Sequence, residues 1–387
     1  MEFKKAFIFM AVASMLLLFG CGPQGVAPIA ALDTPGHHTA NGNKFLKAGK
    51  FADAQAEFSR AVALDPKFSP GYLGLGLVNS HEGAFEKGFD NLKTALKLAG
   101  SDRQEVAALV GIMRLYLMGG EKFDTKWLEK IQYNHIKAIT IAPRNPEPYF
   151  YMGEGYKMAY RLRDAADQYS KVLDINRGFV EKADKAYRTV QKIERARPGS
   201  DVGKTIAFMD TISRADVAAL LIQELAVDDI FKKQARKKDD TAFKTPHQFA
   251  VEKNDSKVEA IDIAGHILKA DIDAVLKIGI KGLEMLPDLT FKPDATINRA
   301  EFAMMMEDIL IKITRDSRLA TKFIGYTSAF PDVRNDLPYF NAVMVCTTRN
   351  IMAVRDIGTG RFEPLRPVSG AEALLSMRML KTQLNKY

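Results

Sequence analysis

Cysteine is all but missing from this chain, which has only Cys21 and Cys346 among its 387 residues. That excludes a disulfide framework, so stability has to come from packing. Cys346 ends the apolar stretch Ala342–Cys346 and reads as a small buried side chain rather than a reactive thiol. Histidine is scarce as well, with six residues and no metal-ligand spacing. His37 and His38 lie near the N-terminal segment and His135 falls at a core position of a repeat, so neither zinc nor any other cofactor is expected. No Ser, His and Asp segments stand out as a nucleophilic set, which argues against an enzyme. The 55 Lys and Arg residues are scattered without an aromatic-basic signature, so nucleic acid is not an expected partner.

What is present starts at the N-terminus. Lys4 and Lys5 precede an apolar run from Ala6 to Phe19, too short to span a bilayer comfortably. A basic start and an apolar stretch ending on a small residue describe a signal peptide over 1–20. The sequence Leu18-Phe19-Gly20-Cys21 resembles the bacterial lipoprotein signal. That resemblance implies a lipidated Cys21, a membrane partner through the lipid and, with Gly22 rather than Asp next, an outer-membrane location facing the periplasm. Residues 21–34, rich in Pro, Gly and Ala, read as a flexible tether. The formal net charge of +8 favours anionic partners without choosing among them.

From about residue 35 the chain repeats. Gly42, Phe45, Ala54, Phe58, Ala61 and Pro66 are followed by Tyr72, Gly76, Gly88, Leu92 and Ala95, with Gly42 and Gly76 thirty-four residues apart. This period and pattern resemble the tetratricopeptide repeat, a helical hairpin. Small residues let the two helices approach, and Phe58 and Leu92 fill the space beside them. Gly111 continues the series on a helix over roughly Arg103–Met118, and Gly153 follows forty-two residues later, which predicts an inserted loop, Gly119–Asp124, before Trp127. A helix over Phe179–Arg195 is expected to cap the stack. The solenoid is thus placed at 35–197, with a partner groove from Asn43, Leu77, Phe150 and Glu154 for an unknown protein or peptide.

Pro198-Gly199-Ser200 ends that domain. The following Gly199-Ser-Asp-Val-Gly203-Lys204-Thr205 imitates a phosphate-binding loop. It has three residues between the glycines where four are needed, and it follows a helix rather than a strand, so it is rejected. The run Phe231–Asp240 reads as a solvated helix end or linker.

A segment near the C-terminus is written twice. Phe291-Lys-Pro293 and Asn298-Arg299-Ala300-Glu301 recur seventy-one residues later as Phe362-Glu-Pro364 and Ser369-Gly370-Ala371-Glu372, with an echo at Ser213-Arg214-Ala215-Asp216. Each puts an N-cap oxygen three residues before an acid, a capping-box pattern. On the helix after Asn298, Ala300, Ala303, Met306, Leu310 and Ile313 share one face, and Met304–Met306 read as core filling. The order Asp-Val, an aromatic or His pair, Gly-Ile, Phe-x-Pro and Arg-Ala-Glu resembles the S-layer homology domain, over roughly 200–387. The resemblance implies three helical modules at about 198–258, 259–316 and 327–387. It also implies binding of anionic cell-wall polymer or peptidoglycan through Arg214, Arg299, His266 and Tyr339, with Gly370 removing the third Arg.

The expectation is therefore a mainly α protein, a solenoid followed by a pseudo-threefold helical domain. Its expected function is that of a non-enzymatic envelope lipoprotein that tethers and scaffolds. The alternative is an adaptor for assembly of outer-membrane, pilus or secretion machinery.

Overall fold

The computed structural model describes residues 25–232 and 259–384. Cys21, the signal peptide and all but the start of the 231–240 charge run lie outside them. The chain folds as two units, one ending at Tyr187 and the next beginning at Arg188. The boundary falls ten residues earlier than the Pro198 break and inside a helix, because proline stops a helix without deciding which core its faces join.

The first unit is built from four helical hairpins: α1 Pro35–Lys47 with α2 Phe51–Leu64, α3 Ser69–His81 with α4 Phe85–Lys97, α5 Asp102–Phe123 with α6 Trp127–Ile141, and α7 Pro146–Met158 with α8 Leu162–Ile175. Pro35, Pro70 and Pro146 sit in first turns, where a missing N–H costs nothing. Thr34, Ser101 and Asn145 cap free amides of α1, α5 and α7. Within three hairpins a glycine meets a large side chain sixteen positions on: Gly42 against Phe58, Gly76 against Leu92 and Gly153 against Tyr169. A Cβ at these glycines would fall 2.7, 2.5 and 2.6 Å from the opposing side chain. The small-against-large reading of the repeat therefore holds in three dimensions. The first helices α1, α3, α5 and α7 also pack on one another in turn, forming a continuous row.

The third hairpin departs from expectation. No loop spans Gly119–Asp124; α5 instead runs to Phe123 across a break at Gly120, whose φ of 52° and ψ of −147° suit glycine. The break returns the Phe123 ring to 5.5 Å from both Phe85 and Tyr116, so aromatic burial absorbs the extra residues. A helix is present where the cap was expected, α9 Val180–Ala196, and the boundary between the units divides it.

The expected tether is also only partly free. Val26 N–H donates to the Ala63 carbonyl, 2.7 Å, and Asp33 is buried against Arg60. His38 bridges Asp33 and Glu57 at 2.9 and 2.7 Å. Arg60, then the Ile29 N–H, hold the Asp33 carboxyl well below the usual carboxylate range. Burial would lower the His38 pKa, but the bonds and charges of Glu57 and Asp33 outweigh it and the net shift is upward.

The second unit carries α10 Asp201–Ile206, α11 Arg214–Gln223, α12 Lys269–Ile278, α13 Arg299–Thr314, a 3-10 turn Ser317–Thr321, α14 Phe340–Thr348 and α15 Gly370–Leu384. Their packing is cyclic: α11 lies on α12, α13 on α14 and α15 on α10. The repeated motif also meets at one centre. Ile297 N–H donates to Ile212 O (3.1 Å), Val368 N–H to Ile297 O (3.0 Å) and Ile212 N–H to Val368 O (3.1 Å). Three equivalent residues thus close a ring of hydrogen bonds, each giving one and taking one. Of the three methionines expected to fill the core, Met305 and Met306 are buried and Met304 is half-buried.

The His38 latch has a pH signature. A folded pKa above the ordinary value gives a contribution fully present below about pH 6 and lost as pH rises through the folded pKa. Amide exchange at Val26 and Asp33, corrected for the intrinsic rate, should quicken from pH 6 to 8 in the wild-type chain. In His38→Leu that pH dependence should vanish.

Candidate ligand-binding sites

Both copies of the Phe-x-Pro turn are held by an aspartate. Asp262 accepts the N–H groups of Phe291 and Lys292 at 2.8 and 2.7 Å, and Asp332 accepts those of Phe362 and Glu363 at 3.0 and 2.7 Å. Lys292 and Glu363 have φ of 55° and 57°, and the paired amides facing one carboxylate are what hold this left-handed residue.

On these turns sit the motif arginines. Arg214 stacks 4.7 Å from the Phe291 ring and donates to the carbonyls of Phe291 (2.7 Å), Glu284 (3.0 Å) and Gly282. Arg299 stacks 4.3 Å from Phe362 and donates to Phe362 O and Ala353 O, both at 2.7 Å, while its third nitrogen pairs with Glu372. Each arginine therefore locks its own module to the turn of the next. Arg299 is 1% exposed, and burial and then Arg355 bring its pKa down to about 10, so it stays charged at neutral pH. Burial likewise lowers Arg214, which is only half-buried.

This places the expected wall-polymer residues differently from the sequence reading. The Arg299 guanidinium faces the core with every donor group engaged, and Arg214 is largely committed to carbonyls. His266 is 20% exposed, 3.8 Å from Asp294, and its Nδ1 accepts the Leu268 N–H. Tyr339 is half-buried at the start of α14. No hydrogen bond or ion pair joins any two of the four among the described residues. The cause is long-range: the carbonyls that claim the arginines lie 54 to 77 positions away in sequence.

The capping boxes divide in the same way. Ser213 with Asp216 and Asn298 with Glu301 form complete boxes. In the third copy Ser369 Oγ accepts the Glu372 N–H at 3.4 Å, but the Glu372 carboxylate leaves the cap for Arg299. Gly370 replaces the third arginine because the turn after α10 closes directly on it. Its N–H donates to Met209 O at 2.9 Å, and a Cβ would lie 1.7 Å from Ile206 O. The rejected phosphate-loop stretch is filled by the chain itself: Glu224 accepts the N–H groups of Gly199 and Ser200 at 3.0 and 2.8 Å. Cys346 is buried, and burial pushes its thiol pKa up.

Two open cavities among the described residues bear on ligand binding. In the second unit, one of about 440 Å³ is lined by Arg315, Arg318 and Arg349 with Asp316. Arg318 pairs with Asp316 at 2.8 Å, whereas no hydrogen bond engages the Arg315 or Arg349 side chain among the described residues. Nothing in the local sequence marked this cluster, since Arg349 ends α14 and Arg315 ends α13. In the first unit, a cavity of about 720 Å³ is lined by Asn43 and Leu77, as expected, and by Arg114, Glu147 and Tyr151. Phe150 and Glu154 are turned away from it. Phe150 is buried on Phe179, and Glu154 accepts the Tyr169 hydroxyl at 2.6 Å. Tyr151, one residue after Phe150, and Glu147, two turns before Glu154, line the cavity from α7 instead.

The second unit is thus a cyclic helical assembly of modules whose turns are pinned by aspartate and arginine. Residues 329–374, which contain Asp332, Phe362 and Glu372, match the S-layer homology domain. Domains of this family bind cell-wall polymers, and the match supports an envelope role for this chain. No curated protein matches it. No helix among the described residues is long and apolar enough to cross a membrane.

Arg299→Met leaves Glu372 and two carbonyls without their partner and should cost about 3–5 kcal/mol in urea unfolding. Arg299→Lys should recover only part of this, because an ammonium cannot reach three acceptors in one plane. Gly370→Ala should destabilise the second unit comparably, whereas the half-buried Arg214→Ala should cost less than Arg299→Met.

Proposed function

We propose that this protein is a non-enzymatic, lipid-anchored envelope protein that grips anionic wall polymer with its C-terminal unit and a protein partner with its N-terminal repeats. The observation that carries the reading is the family match at 329–374 together with the same aspartate-pinned turn at Asp262–Phe291. The polymer-facing cations are those of the 440 Å³ cavity, Arg315, Arg318 and Arg349, because Arg299 and Arg214 are engaged in joining modules. The cavity also borders the ends of α13 and α14, whose carbonyls arginines favourably face. Planar guanidinium groups suit the carboxylate or phosphate of such polymers. His266 and Tyr339, half-buried on the same unit, are secondary contacts.

The hairpins are read as tetratricopeptide repeats, and Cys21 as the acylated residue of an outer-membrane lipoprotein. Attachment to lipid and to wall at once would hold the chain far more firmly than either alone. The 720 Å³ cavity of the first unit favours a second role as an adaptor for envelope assembly, with the same groove receiving the partner.

Sedimentation with purified sacculi tests the wall assignment. The full chain should pellet with intact sacculi and far less with sacculi stripped of their anionic polymer. Arg315→Gln/Arg349→Gln should weaken retention about tenfold, the scale of a lost charge-assisted contact, at unchanged melting temperature. A chain left in the supernatant with intact sacculi rejects the tether, and undiminished binding by the double variant moves the contact elsewhere. Cys21→Ser should abolish incorporation of an alkyne-labelled fatty acid and release the chain from membranes.

A further inference from the structure

The first unit is entered through eight consecutive residues without a polar side chain, Gly25-Val-Ala-Pro-Ile-Ala-Ala-Leu32, and every one of them is exposed. Ile29 is 88% exposed, Leu32 69% and Val26 53%. A spacer that works in water is polar or rich in Gly and Ser, because branched aliphatic side chains are unfavourable there. This strap is not loose either. Val26 N–H donates to Ala63 O at 2.7 Å, and Gly25 lies so close to α2 that a Cβ on it would fall 2.1 Å from Leu64 O. At the other end the buried Asp33 accepts the Ile29 N–H at 2.8 Å and pairs with Arg60 and His38. The bonds of the strap are thus made inward to α2 and Asp33, while its aliphatic side chains are held outward.

The neighbouring sequence says what covers them. Gly25 follows Cys21 by four residues, and four extended residues reach about 14 Å at most. With Cys21 acylated, the start of the strap stays within that distance of the lipid headgroups. Protein surfaces that enter this layer carry an apolar face and no unpaired charge. The strap meets both conditions: the Asp33 carboxylate is paired with Arg60, and residues 25–32 bring no charge of their own. The Val26 and Ile29 N–H groups are already bonded and Pro28 has none, which lowers the cost of taking this backbone out of water.

We propose that residues 25–32 are a lipid-docking surface, with Val26, Ile29 and Leu32 inserted into the interface of the bilayer that holds Cys21. The proposal rests on the reading of Cys21 as acylated and adds a second point of attachment beside it. An acyl anchor alone leaves the folded unit free to swivel. A pinned apolar strap next to the anchor holds the first hairpin against the membrane in one orientation.

The test uses the full chain with a tryptophan reporter, Ile29→Trp or Leu32→Trp, in phosphatidylethanolamine–phosphatidylglycerol vesicles that contain lipid brominated near the headgroup end of its acyl chains. The wild-type chain supplies the constant signal of the buried Trp127. Against it, both reporters should shift to the blue and lose emission. Met158→Trp, at an exposed position in the fourth hairpin, should do neither. Adding Val26→Asp and Leu32→Asp to Ile29→Trp should reverse both changes at an unchanged melting temperature. Mass spectrometry of the membrane-extracted chain reads acylation separately. A Cys21 without an acyl group overturns the anchor reading, and the same reporter chains, coupled through the Cys21 thiol to a maleimide lipid, then decide the strap alone; the buried Cys346 does not compete. Reporters as wet as Met158→Trp in the lipid-attached chain overturn the lipid-docking surface. Reporters that shift to the blue without vesicles, and more so as protein concentration rises, overturn it in favour of contact between two copies.

Discussion

Everything in the C-terminal unit depends on three backbone hydrogen bonds that close on themselves. Ile212, Ile297 and Val368 each donate to one partner and accept from the other, at 3.0 to 3.1 Å. Such a ring satisfies buried peptide groups without a sheet, and it fixes the three helix starts relative to one another. The helices α11, α13 and α15 leave this centre and pack on the next module around the cycle. Position is thereby set before any side chain makes a choice.

The side chains then lock what the ring has placed. Asp262 and Asp332 hold two tight turns through paired amides, and Arg214 and Arg299 stack on the phenylalanines of those turns. The third contact is made by backbone alone, Gly370 against Met209 and Ile206, because carbonyl and glycine approach closer than any side chain would allow. Glu372, no longer facing an arginine of its own, is drawn to Arg299. A threefold motif thus becomes an asymmetric assembly with one buried charge pair. Burying such a pair contributes less to stability than its Coulomb attraction suggests, and its loss is costly because one charge is then stranded.

The N-terminal unit achieves order by repetition instead. Three of the four hairpins close at a glycine-to-large contact of their own, while Gly111 of the third meets Leu73 and Leu92 of the hairpin before it. The third hairpin departs in length as well: eight extra residues are absorbed by a longer helix, a glycine break and the return of Phe123 to Phe85 and Tyr116. The row of first helices remains continuous, and with it the cavity that brings Asn43, Leu77 and Arg114 to one place.

Much of this was legible in the sequence. Glycines thirty-four residues apart identified the hairpins, since their spacing reflects contacts within one local unit. The Ser-x-x-Asp and Asn-x-x-Glu boxes marked helix starts, since capping is satisfied within four residues. The apolar face of α13 was equally plain. The arginines were not, because an Arg in the first turn of a helix suits an external anion and an internal carbonyl equally well. Only the arrival of Phe362 and Ala353, 63 and 54 residues away, assigns Arg299 to the core. The same holds for Glu372, whose local partner is Ser369 and whose actual partner is distant. Local periodicity and capping fixed the helices and their order; the fate of each charge was decided by tertiary contact, because electrostatic satisfaction depends on distance in space and not along the chain.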